Sequence, residues 1–154
     1  MADPIVLDSS IAGKWFLRDE DGINEADRIL LLILSGSVQV HCPRVFLYEV
    51  CTLISKARSI NKTKAPRLAN EEIEAAIREL HSIAALFIFS DPSADDCVEA
   101  ANYCDTYSKV FNDMCFLLLA ESLDCKWYTA DKKLLVANRT EFPADHIHVI
   151  DSQN

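Results

Sequence analysis

Four carboxylates sit in apolar surroundings. Asp8 ends the run Ile5-Val6-Leu7, and Glu49 is the only charge between Val45 and Ile54. Asp113 opens the stretch Met114 to Ala120, and Asp131 follows Trp127-Tyr128-Thr129-Ala130. A carboxylate kept from water and from partners is costly to hold charged. Taken singly, Asp113 and Asp131 have an ordinary reading, since both suit the first turn of a helix, where an acid meets unpaired N–H groups. For Glu49, mid-helix with no base nearer in sequence than Arg44 or Lys56, the ordinary reading is weaker. Four acids meeting at one point repel one another unless a cation lies between them. Oxygen-only ligands select a hard divalent ion, Mg²⁺ or Mn²⁺, over zinc. Such an ion, completed by water and substrate phosphate, equips a site for phosphodiester hydrolysis in one-metal or two-metal form.

The elements that must carry these acids alternate. Pro4 to Asp8 reads as a short buried strand, after which Ser10 is placed to cap a helix running to Leu17. An acidic patch, Asp19-Glu20-Asp21, precedes a helix from Ile23 to Ser35 closed by Gly36. Val38 to Cys42 alternates like a strand, and Pro43 stands where a helix to about Ser59 begins. Asn70 is placed to cap a helix opening with Glu71-Glu72. Leu86 to Phe89 reads as a third strand, and Ser93 with Asp96 forms a capping-box pattern for a helix to Tyr107. Val110 to Leu123 is nearly apolar throughout and predicts a central helix. Lys126 to Thr129 reads as a fourth strand, then a helix to Asn138, then a fifth strand at Ile147 to Ile150. Short strands alternating with helices predict an α/β fold, a parallel sheet of four to five strands with helices on both faces. Ligands in such sheets bind beyond the carboxyl ends of the strands, where the strand order reverses.

The 154 residues, half of them hydrophobic, amount to one domain over 1–154 that needs no metal or disulfide staple to fold. The longest aliphatic runs fall far short of the ~20 residues of a membrane span. No basic region precedes an apolar stretch at the N-terminus, so a soluble, cytoplasmic protein is expected. With 24 acids against 15 bases the net charge is −9, which argues against coating nucleic acid by bulk charge but not against local phosphate contacts. The six cysteines lack the spacing of a zinc site and read mostly as small buried hydrophobes. His41, His81, His146 and His148 show no catalytic pairing and read as structural or exposed.

The blocks around the acids resemble a known family. Asp8-Ser9-Ser10-Ile11-Ala12-Gly13-Lys14-Trp15-Phe16-Leu17 is similar to the opening block of PIN-domain proteins, in particular VapC-type toxins of prokaryotic toxin–antitoxin pairs. Pro43 to Glu49, Asn112-Asp113 with Leu117 to Glu121, and Thr129-Ala130-Asp131-Lys132-Lys133-Leu134 resemble the later blocks in order and spacing, over about residues 4 to 150. The resemblance implies a Rossmann-like fold and a Mg²⁺- or Mn²⁺-dependent endoribonuclease, often a homodimer, held inactive by a small cognate antitoxin. It implies Asp8, Glu49, Asp113 and Asp131 as metal-site acids, with Ser10 and Thr129 orienting carboxylates or water. Asn112 stands where the pattern usually has Tyr, and Arg18 where a Pro is frequent; neither is expected to touch an acid.

RNA would need basic side chains near those acids. From Val50 to Asn70 there is no acid, while Lys56, Arg58, Lys62, Lys64 and Arg67 supply five of the fifteen bases. This is either a solvated helix end and loop or a grip on the phosphate backbone through Lys62, Lys64 and Arg67, with Lys14 as a further contact. Trp15 and Phe16 read as core or dimer interface rather than base-stacking platforms. Haloacid-dehalogenase phosphatases need a second Asp where Ser10 stands, and receiver domains need paired acids and a phosphoacceptor Asp near residue 55 that this chain lacks. The remaining rival is a PIN-like module that binds RNA or protein without cleaving.

Overall fold

The computed structural model describes residues 1–58, 67–136 and 141–150. Its strands are β1 (Asp3–Leu7), β2 (Val38–Pro43), β3 (Ile88–Ser90), β4 (Lys126–Thr129) and β5 (Ile147–Val149). The α-helices are α1 (Ser9–Phe16), α2 (Ile23–Leu34), α3 (Val45–Lys56), α4 (Asn70–Ala84), α5 (Ala94–Tyr107) and α6 (Phe111–Ser122). The sheet is five-stranded and runs β3-β2-β1-β4-β5, with every neighbouring pair parallel. From β1 the chain moves outward through β2 to β3, then returns past β1 to β4 and β5. Right-handed connections therefore put α1 to α4 on one face and α5 and α6 on the other. The packing agrees: α1 lies against α2 and α3, α3 against α4, and α6 against α5, β1, β2 and β4.

The apolar character of α6 has its cause here. Met114, Phe116, Leu117 and Ala120 are all buried, and the Phe116 ring stacks on Trp127 of β4 with centroids 5.8 Å apart. On the opposite face Phe46 of α3 meets Phe87 edge-on at 5.7 Å, and Trp15 ties α1 to α2 by donating to the Ala26 carbonyl at 2.9 Å. Trp15 and Phe16 are buried within the chain, as core residues. No helix among the described residues is long and apolar enough to cross a membrane.

Several starts differ from the sequence expectation. Ser10 lies inside α1 rather than capping it; Asp8 holds the cap position, and its side chain makes no cap bond. Pro43 closes β2, where its missing N–H is tolerated, and α3 begins two residues later. Ala69, not Asn70, precedes α4, and its N–H donates to the Glu72 carboxylate at 2.6 Å. In place of a regular helix after β4 there is a 3-10 turn, Lys132–Leu135. The expected continuation to Asn138 extends outside the described residues. Gly36 does close α2, in the left-handed conformation (φ 72°) that glycine adopts without a Cβ clash.

The capping box of α5 is present: the Ser93 hydroxyl accepts from the Asp96 N–H at 3.1 Å, and the Asp96 carboxylate accepts from the Ser93 N–H at 2.8 Å. Ser93→Ala should therefore cost about 1 kcal/mol. A thermal melt should register this as a fall of roughly 2–4 °C.

Candidate functional site

Strand order reverses between β1 and β4, which lie side by side with Leu7 opposite Tyr128. Their carboxyl ends deliver Asp8 and the segment Thr129 to Asp131 to one place, and the Asp8 N–H donates to the Tyr128 carbonyl at 2.9 Å. Asp8 is buried and its Oδ2 receives two hydroxyls, from Ser10 and, at 2.8 Å, from Thr129. Neither hydroxyl is free to turn away. Ser10 Oγ accepts from the Ala130 N–H at 3.0 Å, and Thr129 Oγ1 accepts from the Asp131 N–H at 3.1 Å. With their acceptor lone pairs committed to the β4 exit, both hydroxyls direct their protons at Asp8. The supporting roles expected of Ser10 and Thr129 thus have a geometry.

Thr129→Val would remove a buried donor to a carboxylate and leave the Asp131 N–H without that acceptor. Hydrogen bonds to charged groups are worth ~1.5–3 kcal/mol, so a loss of that order is expected in urea unfolding. Thr129→Ser, which keeps the hydroxyl, should recover most of it.

The helices bring the other two acids. Asp113 lies in the first turn of α6, and its carboxyl is pushed up to about 7, first by burial and then by the charges of Asp8, Glu49 and Asp131. Lys109 pulls the other way. Burial also raises Asp8, against the hydrogen bonds from Ser10 and Thr129, and Glu49 adds to the rise. The charges of Asp8, Glu49 and Asp131 therefore all reach Asp113, and that of Glu49 also reaches Asp8. Asp131 keeps its ordinary role as well, accepting from the Lys133 N–H at 2.9 Å at the start of the 3-10 turn.

Two residues of the site escaped the sequence. Asn112 does touch an acid: its Nδ2 donates to Glu49 Oε1 at 3.0 Å, joining α6 to α3. The expectation that it would not fails because that bond spans 63 residues of sequence. Lys109, which favours the ionised form of Asp113, also donates to the Leu134 carbonyl at 2.7 Å and lies 4.9 Å above the Phe142 ring. Its position four residues before Asp113 was the available signal.

The basic residues are less concentrated than expected. Lys14 pairs with Glu20 at 3.1 Å, and Arg67 binds both Asp19, at 2.5 Å, and Glu20, at 3.0 Å. The acidic patch after α1 thus neutralises two of the four candidate phosphate contacts, and Arg67 holds the Asp19 carboxyl below its ordinary range. Lys62 and Lys64 lie outside the described residues. Arg18, the other departure from the family pattern, also touches an acid, though not one of the four: it forms a fork with Asp27 on α2 at 2.6 and 2.8 Å.

Among the described residues, no three His, Cys, Asp or Glu side chains are placed as a ready cage for a metal ion. The donor set still suits a hard cation. It is made of carboxylates, and burial and mutual repulsion raise two of them. Mg²⁺ is held through one or two carboxylates while retaining several waters, so it needs no preformed three-residue cage.

Residues 5–139 match the family model of the PIN domain. The chain belongs to the PIN-domain family. The sheet order and the acids at the switch point are this PIN domain's frame. Among solved structures it is similar to VapC20 of Mycobacterium tuberculosis, a toxin that cleaves the sarcin–ricin loop. That similarity has 17% identity and a TM-score of 0.63, covering 90% of this chain and 98% of the toxin. It is similar also to a chain of a toxin–antitoxin complex from Klebsiella pneumoniae, at 14% identity and a TM-score of 0.62, covering 96% of this chain and 98% of the other. No curated protein matches the sequence.

Proposed function

We propose that this PIN domain is a Mg²⁺- or Mn²⁺-dependent endoribonuclease, the toxin of a VapBC-type pair. The observation that carries the reading is Asp113, driven to about 7 in a partly buried position by burial and by three other carboxylates gathered at the switch point. Among the described residues Asp113 forms no ion pair, and a carboxyl shifted this far without one marks a candidate for function. Asp8 and Asp113 are the direct ligands in this reading, Glu49 binds directly or through water, and Asp131 supports. The cation when bound supplies Lewis acidity to the phosphodiester. Ser10 and Thr129 hold Asp8 in one rotamer, and Asn112 holds Glu49. The similarity to two toxin structures supports the ribonuclease and a small antitoxin as partner, with a second copy of the chain as the expected dimer mate.

RNA is gripped, on this reading, through Lys62, Lys64, Arg67 and Lys14, the last two by exchanging Asp19 and Glu20 for phosphate. The test is Mn²⁺-dependent cleavage of a panel of structured RNAs, lost on Asp8→Asn. RNA bound without metal-dependent cleavage would instead favour a non-cleaving PIN-like module.

A further inference from the structure

The exposed face of α3 runs outward from the acids. Tyr48, next to Glu49, is 73% exposed, the most exposed large apolar side chain after Met1 among the described residues. It stands between two hollows. One, of about 480 Å³, is lined by Ser9, Ser10, Tyr48, Glu49, Thr52 and Asn112, and so opens onto the acid site. The other, of about 390 Å³, is lined by Tyr48, Cys51, Thr52, Ser55 and Lys56. Tyr48, Thr52, Ser55 and Lys56 recur at helical spacing, and Lys56 lies ~12 Å from Tyr48 along the axis. Lys14 and Arg67 reach phosphate only by releasing acids, whereas the Lys56 and Arg58 side chains form no ion pair among the described residues. The path leaving Glu49 thus offers, in order, an exposed aromatic face, hydroxyls and a cation that forms no ion pair among the described residues.

We propose that this face of α3 is the track of a single-stranded RNA segment, with Tyr48 stacking on an unpaired base beside the scissile phosphate and Lys56 meeting a backbone phosphate further along. The inference rests on the ribonuclease reading and adds the surface, with Tyr48 and Lys56, along which its substrate lies. Aromatic faces bind bases with little regard to sequence, because every base presents a π-face, and a cation then contributes the salt-dependent part. The first hollow matches the size of small-ligand sites, and its lining, mostly apolar through Val45, Leu53 and Tyr48 with Glu49 and Asn112 at hand, suits the flat face of a base. Tyr48 does not hold the fold, since most of its surface is in water.

The experiment uses the Asp8→Asn protein, which holds RNA without cutting it, and a single-stranded oligoribonucleotide carrying 2-aminopurine. Tyr48→Ala should weaken binding on the order of tenfold or more, abolish the quenching of the 2-aminopurine, and leave the salt slope unchanged. Tyr48→Phe should keep both affinity and quenching. Lys56→Gln should lower the salt slope by about 0.7, the value for one phosphate contact on a single strand. Equal affinity and quenching in Tyr48→Ala would overturn this inference alone and leave the aromatic face to a protein partner. A parent protein that binds no RNA would overturn the ribonuclease reading and this one with it.

Discussion

Asp113→Asn and Asp8→Asn should each abolish Mn²⁺-dependent RNA cleavage in a protein that remains folded. A metal's stabilisation of charge on a transferring phosphoryl group is worth several kcal/mol, and each 1.36 kcal/mol is tenfold in rate, so a loss of at least ~100-fold is expected. The fold should tolerate both changes for a visible reason. The Ser10 and Thr129 hydroxyls both address Oδ2 of Asp8, so an Asn with its carbonyl oxygen in that place keeps both bonds. At position 113 the change deletes a charge that burial and three neighbours oppose. Single-turnover cleavage of one RNA substrate, with circular dichroism to confirm folding, measures this. A variant keeping a tenth of wild-type activity removes its residue from the metal site.

Saturating Mn²⁺ should raise Tm by about 5–10 °C, and this effect is independent of any substrate. A ligand that binds only the folded state stabilises it by ~2.7 kcal/mol at a hundred times Kd, and each kcal/mol moves Tm by roughly 2–4 °C in a chain of this length. The metal-free protein should show the complementary defect. Asp113 has a folded value of about 7, above the ~3.9 of an unfolded Asp. A raised carboxyl contributes stability that is present in full below the unfolded value and is lost as pH rises through the folded one. The metal-free protein should therefore lose stability between pH ~4 and ~7, by on the order of 1–2 kcal/mol once solvent screening of this partly exposed group is allowed for. Asp113→Asn should flatten that slope, raise the metal-free Tm at pH 7 and shrink the Mn²⁺ increment. Below pH ~7 protons compete for the same oxygens, so Mn²⁺ should bind more weakly. Melts with Mn²⁺ against Na⁺ at matched ionic strength decide it: a shift no larger than that of Na⁺ leaves four isolated carboxylates and no cation site.

Each expectation began with the residues, but the tertiary structure supplied its geometry. Period and punctuation sufficed for the α/β class, a sheet of four to five strands and the capping box at Ser93 and Asp96, because these depend on neighbours a few residues apart. The four acids were legible for a similar reason: a lone charge in an apolar run is conspicuous wherever the run ends up. The strand order was not legible, and neither was the place where it reverses, since both depend on which face each crossover takes. Helix starts at Ser10, Pro43 and Asn70 shifted by one or two residues because more than one residue could occupy the cap position and packing chose between them. The fate of Lys14 and Arg67 was decided across 6 and 47 to 48 residues of sequence by Asp19 and Glu20. The bond from Asn112 to Glu49 and the exposure of Tyr48 were likewise set by how α3 lies against α6 and solvent. Residue type alone marks which side chains can carry charge or hydrogen bonds; only the folded chain determines which of them meet, because those meetings are made by elements far apart in sequence.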